Sequence, residues 1–168
     1  MSVLNDVSRR RRGRGGRVGR ALGRLWADWG EPVFLWVQFQ DPHRPYAAPG
    51  AYRGRFRVPR VPGAKPLPVL EDNPGRGGIP AYQALRGVSL PSVYRSRYGD
   101  EISYADRWIG ERIDTVDARA SDAGAVVLPT ADHGGSYGEA GRFFAHAATT
   151  PEVAHVPMIF RALGHVEP

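Results

Sequence analysis

The sequence predicts an α/β domain, a mostly parallel sheet flanked by helices. Three observations predict it. Helical and strand-like patterns alternate along the chain. The strand-like runs are apolar without polar alternation, as in strands covered on both faces. Two of them stop at a paired acid and histidine. The length of 168 residues suits about one domain, and 42% hydrophobic with 24% charged residues is a globular balance. With 21 Gly and 15 Pro, the chain is also loop-rich. No run approaches the ~18 apolar residues of a membrane-spanning helix. The absence of cysteine excludes disulfides, Cys-ligated zinc and a cysteine nucleophile from these residues.

The net charge of +6 is unevenly placed. Residues 1–24 carry eight arginines and one acid, Asp6, whereas the other 144 residues carry fifteen bases and sixteen acids. The basic balance therefore belongs to a leader, and the body as a whole does not read as nucleic-acid-binding. Residues 1–17, with Arg9-Arg10-Arg11-Arg12-Gly13-Arg14-Gly15-Gly16-Arg17, read as a solvated, disordered tail. An export signal would need an apolar stretch of ~7–15 residues after it, and none follows. A nucleic-acid tail is chemically allowed but lacks aromatics for base stacking. A start read from unselected codons would look the same.

The body is expected over residues 18–168. Val18, Leu22, Leu25, Trp26 and Trp29 share one face of a helix that Gly30-Glu31-Pro32 ends. Val33 to Phe39 reads as a strand covered on both faces, stopping at the proline-bounded loop Gln40-Asp41-Pro42-His43-Arg44-Pro45-Tyr46. Residues 47–90 read as one long irregular connection, a feature that usually borders a functional site or is partly disordered. A long helix follows over about 90–120. Ile102, Ala105, Ile109, Ile113 and Val116 are its expected buried face, Pro91 fits its first turn and Gly124 follows its end. Ala125-Val126-Val127-Leu128 reads as a second buried strand, ending at Pro129. Thr150 and Pro151 read as N-cap and first helical residue, and Val156-Pro157-Met158-Ile159-Phe160 as a third strand.

In a parallel sheet, ligands bind beyond the carboxyl ends of the strands. Asp41 and His43 follow the first strand, and Asp132 and His133 the second, while His146 lies in the next loop. A carboxylate beside an imidazole can share one divalent cation, and prolines flanking His43 would fix its ring near a charged oxygen. Taken singly, His43 is as readily a solvated turn residue, and Asp132 a turn or cap residue. Their joint placement at strand ends favours a site.

Four segments resemble the sulfatases of the alkaline phosphatase superfamily. Phe34 to Tyr46 resembles their strand and Asp-Pro-His-x-Pro-Tyr loop, and Tyr98-Gly99-Asp100-Glu101-Ile102-Ser103-Tyr104-Ala105-Asp106 is similar to a helix segment of theirs. Thr130-Ala131-Asp132-His133-Gly134 resembles their metal-binding motif, and Val153 to Phe160 a later strand. The resemblance implies the C-terminal portion of a sulfatase catalytic domain with a partial alkaline-phosphatase-like fold. It implies Asp132 and His133 as ligands of a divalent cation, usually calcium, and His43 and His146 as catalytic, sulfate-ester-binding residues. The family's formylglycine nucleophile arises from Cys or Ser in Cys/Ser-x-Pro-x-Arg. Its nearest counterpart here, Ser89-Leu90-Pro91-Ser92-Val93, has valine in place of arginine and lies downstream of the His43 loop, so it is rejected. Gly135 stands where Glu commonly follows, and Ala147 where Gly follows the second histidine. The chain alone is therefore expected to be inactive or nearly so, with the missing N-terminal half coming from a partner chain in a split enzyme or lost by truncation. A phosphoesterase or phosphonate hydrolase of the same superfamily, or a non-catalytic piece completing a partner, are the alternatives.

Overall fold

The computed structural model describes residues 34–71, 76–120, 124–146 and 148–164. The expected leader and the helix over 18–29 lie outside the described residues. In order, the described elements are β1 (Val69–Leu70), β2 (Ile79–Pro80), the long helix α1 (Pro91–Asp117), β3 (Ala125–Val127), the one-turn helix α2 (Pro151–Ala154) and β4 (Arg161–Leu163). Short 3-10 turns at Gly50–Tyr52, Ala81–Gln83 and Glu139–Gly141 bend the connections.

The expected, mostly parallel sheet is matched only in part by the strand pairing. Among the described residues, β1 and β2 pair in parallel, and β3 and β4 pair antiparallel. Antiparallel bridging starts at Thr130 and Met158, and the regular strand lies at 161–163 rather than at 156–160. An apolar run marks burial or pairing, but nothing in it records which neighbour it meets. The first strand is corrected too. Residues 34–40 form no regular strand, only a bridge at Val37, and their side chains alternate between exposed and half-buried. Trp36 is 52% exposed and Val126 55%, so neither apolar segment is covered on both faces by the described residues.

Helix α1 begins as the sequence predicts, with Pro91 in its first turn, where a missing N–H costs no helical bond. After the helix, Gly124 sits at φ +67 and donates to the Ala120 carbonyl, a conformation that favours glycine. The expected buried face is largely wrong. Of the five residues assigned to it, only Ala105 is fully buried; Ile109, Ile113 and Val116 are half-buried and Ile102 is exposed. The helix instead buries Tyr94, Asp100, Glu101 and Tyr104.

The reason lies in the irregular segment that crosses α1. Its backbone N–H groups have no strand partner and need acceptors. Asp100 accepts from Gly54 N at 2.8 Å and Phe56 N at 3.1 Å, and Glu101 accepts from Ala47 N at 2.5 Å. The Ser96 hydroxyl takes the next one, Val58 N, at 3.0 Å. Gly99 completes the seat, since a Cβ there would lie 2.6 Å from the Phe56 ring. The buried acids therefore replace a missing β-ladder.

The core gathers Tyr46, Ile79, Tyr94 and Phe144, with Leu85, Val88, Tyr98 and Tyr137 packed around them. Tyr94 and Phe144 meet at 4.6 Å between ring centroids, a tilted aromatic pair. Leu85 N donates to the Tyr94 hydroxyl at 2.8 Å, which ties the start of α1 to the loop before it. Asp100→Ala strands two backbone donors and is expected to cost about 2–4 kcal/mol in urea unfolding, whereas Asp106→Ala, at an exposed position of the same helix, costs under about 0.5 kcal/mol.

Candidate functional site

The loop after residue 40 closes tightly, with His43 N donating to the Gln40 carbonyl at 2.7 Å. The His43 ring nitrogen Nδ1 lies 2.7 Å from the Arg44 carbonyl, and His133 Nδ1 lies 2.8 Å from the Gly134 carbonyl. A carbonyl only accepts, so each Nδ1 holds the proton. In the neutral rings Nε2 then carries the free lone pair. Two histidines from separate loops are thus set in the same tautomer by their own backbone.

The segment expected as a simple glycine-rich loop is folded back on itself. Ser136 N donates to Ala145 O at 3.0 Å, Phe144 N to Ser136 O at 2.8 Å and Gly138 N to Arg142 O at 2.7 Å. This closure returns the chain to its start and stacks the His146 ring on the His133 ring, 4.3 Å between centroids and 16° between planes. Gly134 N donates to Val153 O at 2.7 Å, docking the base of the loop on α2. A Cβ at Gly134 would meet the Glu152 carbonyl oxygen at 2.3 Å, so only glycine allows this approach.

Arg44 binds the two loops together. Its Nε donates to the Tyr46 hydroxyl at 2.8 Å, and its Nη1 to Gln83 Oε1 at 3.1 Å and to the Phe144 carbonyl. Its Nη2 lies against Gly135, where a Cβ would come within 2.6 Å. The absence of a side chain at 135 thus makes room for the guanidinium. Tyr46, Tyr137 and Phe144 surround the same cation with their rings 5.8–6.0 Å from it, within cation–π reach. A short phenol–phenol hydrogen bond joins Tyr46 to Tyr137.

Asp132, His133, His43 and His146 share one electrostatic neighbourhood. The His146 imidazole is held below the ordinary range, first by partial burial, then by positive charge on His133, Arg44 and His43, with the Asp132 carboxylate opposing. His133 Nε2 lies 3.8 Å from Asp132 Oδ2, about the spacing of two ligands on one cation at ~2.1–2.5 Å. The donor set stops there. Among the described residues no group of three or more Asp, Glu, His or Cys side chains is arranged to hold a metal. Calcium takes ~6–8 oxygens, so this pair is at most part of a cation site.

Asp41 lies in the same loop as His43, and its charge acts on the Tyr104 phenol of α1. Arg44, Tyr46, Gln83 and Tyr137 escaped the sequence reading. Gln83 has no local signal, because only the fold brings it 39 residues back to Arg44. Arg44 had one, a charged residue locked between two prolines.

The sulfatase family profile matches residues 20–168. Over 120 residues the chain is 32% identical to a protein from Rhizobium meliloti (strain 1021) named "Choline-sulfatase", a match that covers 67% of this chain and 23% of that protein. The chain therefore spans about a quarter of the length of the curated relative it matches. No solved structure matches.

Two titrations check the site. In histidine-selective NMR the His146 ring is expected to titrate below the ordinary imidazole range, and His43→Gln, which removes one positive neighbour, moves its midpoint upward. Burial holds the phenols of Tyr46, Tyr98 and Tyr137 above the usual tyrosine value of about 10. A raised folded-state value contributes stability below the unfolded value, and that stability is lost as pH rises beyond it. Phenolate absorbance of these residues should therefore appear together with alkaline unfolding, not ahead of it.

Proposed function

The chain belongs to the sulfatase family, and from that premise we propose that His43, His146, Asp132 and His133 form part of a site that hydrolyses a sulfate ester. The observation that carries this reading is the His133–His146 stack beside the Arg44-anchored His43 loop. It brings side chains from two loops distant in sequence into one cationic neighbourhood suited to an anionic ester.

His43 and His146 are the groups assigned to the ester. The positive charge of Arg44, together with the imidazoles, favours the sulfate and the negative charge that grows on the leaving oxygen. A lowered affinity favours the neutral His146 ring in the free site, and a bound anion raises its affinity for a second proton. As a nucleophile supplied by the remaining polypeptide bonds to sulfur and the sulfur–oxygen ester bond breaks, that ring can pass the proton to the departing alkoxide. The divalent cation implied by the resemblance, calcium first, would be held by Asp132 and His133. It would also need oxygens that no described residue supplies, so no step is derived through it.

No stretch of the 168 residues offers the Cys/Ser-x-Pro-x-Arg nucleophile. Loss of a covalent nucleophile removes several orders of magnitude in rate. The chain alone is therefore proposed to be inactive or nearly so, acting as part of a sulfatase whose remaining polypeptide supplies the nucleophile. Exposed Phe34, Trp36, Leu128, Met158, Ile159 and Phe160, the last 70% accessible, support the same reading, because they are apolar side chains on segments with a bare side.

The purified chain is expected to show no turnover of 4-nitrophenyl sulfate. Combined with a sulfatase polypeptide that carries the nucleophile motif, it is expected to turn the ester over. His43→Ala and His146→Ala should then each lower kcat about 10²–10⁴-fold. A preference for 4-nitrophenyl phosphate or a phosphonate monoester would replace the reading with the phosphoesterase alternative. Full turnover by the chain alone would refute its proposed inactivity.

A further inference from the structure

From Pro42 to Leu70 the chain has six Lys and Arg and no Asp or Glu, although the body after residue 24 carries fifteen bases and sixteen acids in all. Five of the six, Arg53, Arg55, Arg57, Arg60 and Lys65, lie in a segment that is exposed throughout and contains neither helix nor strand. It nevertheless has a defined course. Gly54, Phe56 and Val58 donate to Asp100 and Ser96 on α1, and Phe56 rests on Gly99. Arg55 is held by its Nε bond to Ala51 O at 3.1 Å and by its place over the Tyr52 ring, and Arg57 is exposed beside Phe56. Arg53 is fixed by its own Nε bond to Ala48 O at 2.8 Å, which joins the ribbon to the loop leaving Tyr46. None of the five makes an ion pair with an acid among the described residues. A row of like charges held in place without counter-charges attracts a polyanion by releasing its counterions.

We infer that residues 53–65 are a docking ribbon for a linear polysulfated glycan, of which one sulfate ester would reach the His43 loop while its neighbours lie along the arginines. This rests on the sulfatase reading and names its substrate class. Binding energy from remote sulfates would then position the reacting one. The chemistry speaks against nucleic acid. The Tyr52 ring is covered by the Arg55 guanidinium at 4.3 Å from its centroid, and the half-exposed Phe56 is a single ring, so the ribbon offers no row of aromatics for successive bases. No helix is presented to a groove. It also speaks against a quaternary-ammonium ester here, because the ring cage of Tyr46, Tyr137 and Phe144 is filled by Arg44.

The test uses the full chain with dextran sulfate, read by tryptophan fluorescence across a salt series. Among the described residues the side chains of Arg57, Arg60 and Lys65 make no hydrogen bond or ion pair, so Arg57→Ser, Arg60→Ser and Lys65→Ser together should leave the circular dichroism unchanged. The triple variant is expected to bind dextran sulfate at least tenfold more weakly at low salt, with the slope of log affinity against log salt shallower by about 2–3. Ser in place of Arg9, Arg10, Arg11 and Arg12 should change binding less than the ribbon variant does. Equal binding by the triple variant, or tighter binding of duplex DNA or anionic vesicles than of dextran sulfate, overturns the proposal. Small aryl sulfates carry one sulfate, so the triple variant should leave their turnover by the completed enzyme unchanged. If dextran sulfate binds as expected but aryl sulfates are never hydrolysed, the sulfatase reading and this substrate assignment fail while the polyanion contact stands.

Discussion

The Arg44 guanidinium is the junction on which the site depends. One planar cation meets the Tyr46 hydroxyl, the Gln83 amide, the Phe144 carbonyl and the bare face of Gly135. These partners come from three stretches of chain up to 100 residues apart. Arginine suits the task because its donors are fixed in a plane and its faces accept aromatic rings. Lysine would offer a point charge without the fork. Phe144 reaches the junction with φ at +55, a left-handed conformation unusual for a residue with a side chain, and its carbonyl there accepts from Arg44. The cost of such a residue is of order 1–3 kcal/mol, and its fully buried ring and charged hydrogen bond hold it there.

The same logic explains the long irregular segment. A connection without ladder bonds needs acceptors from elsewhere, and α1 provides them through Asp100, Glu101 and Ser96. The helix thus buries two carboxylates that a purely apolar stripe would have excluded. Burial of these acids is tolerable because their oxygens accept backbone N–H groups that would otherwise lack a partner. The helix, the ribbon and the His43 loop become one mechanical unit, and the charge that the ribbon displays is held in place rather than dispersed.

A small aromatic core and several uncovered apolar segments coexist in the described residues. Tyrosines rather than aliphatic residues dominate this core, so its packing carries hydroxyl groups that must be paired. Tyr46, Tyr94 and Tyr137 all find partners. The core is therefore polar at its centre, and the chemistry of the site is continuous with the packing beneath it.

Some of this was legible in the residues alone. Pro91 in the first turn of α1 and Thr150 with Pro151 at the start of α2 are matters of local backbone chemistry, and each appears where the sequence indicates, although the Thr150 hydroxyl makes no capping bond. Histidines at 43, 133 and 146 were likewise recognisable as candidates, because residue type and motif are properties of a short stretch. What the tertiary structure alone decided was partnership. The buried side of α1, the antiparallel pairing of β3 with β4, the hairpin that stacks His146 on His133 and the reach of Arg44 to Phe144 all depend on segments distant in sequence. An apolar run or a lone cation carries its own propensity but no record of its partner, and only packing selects one among many.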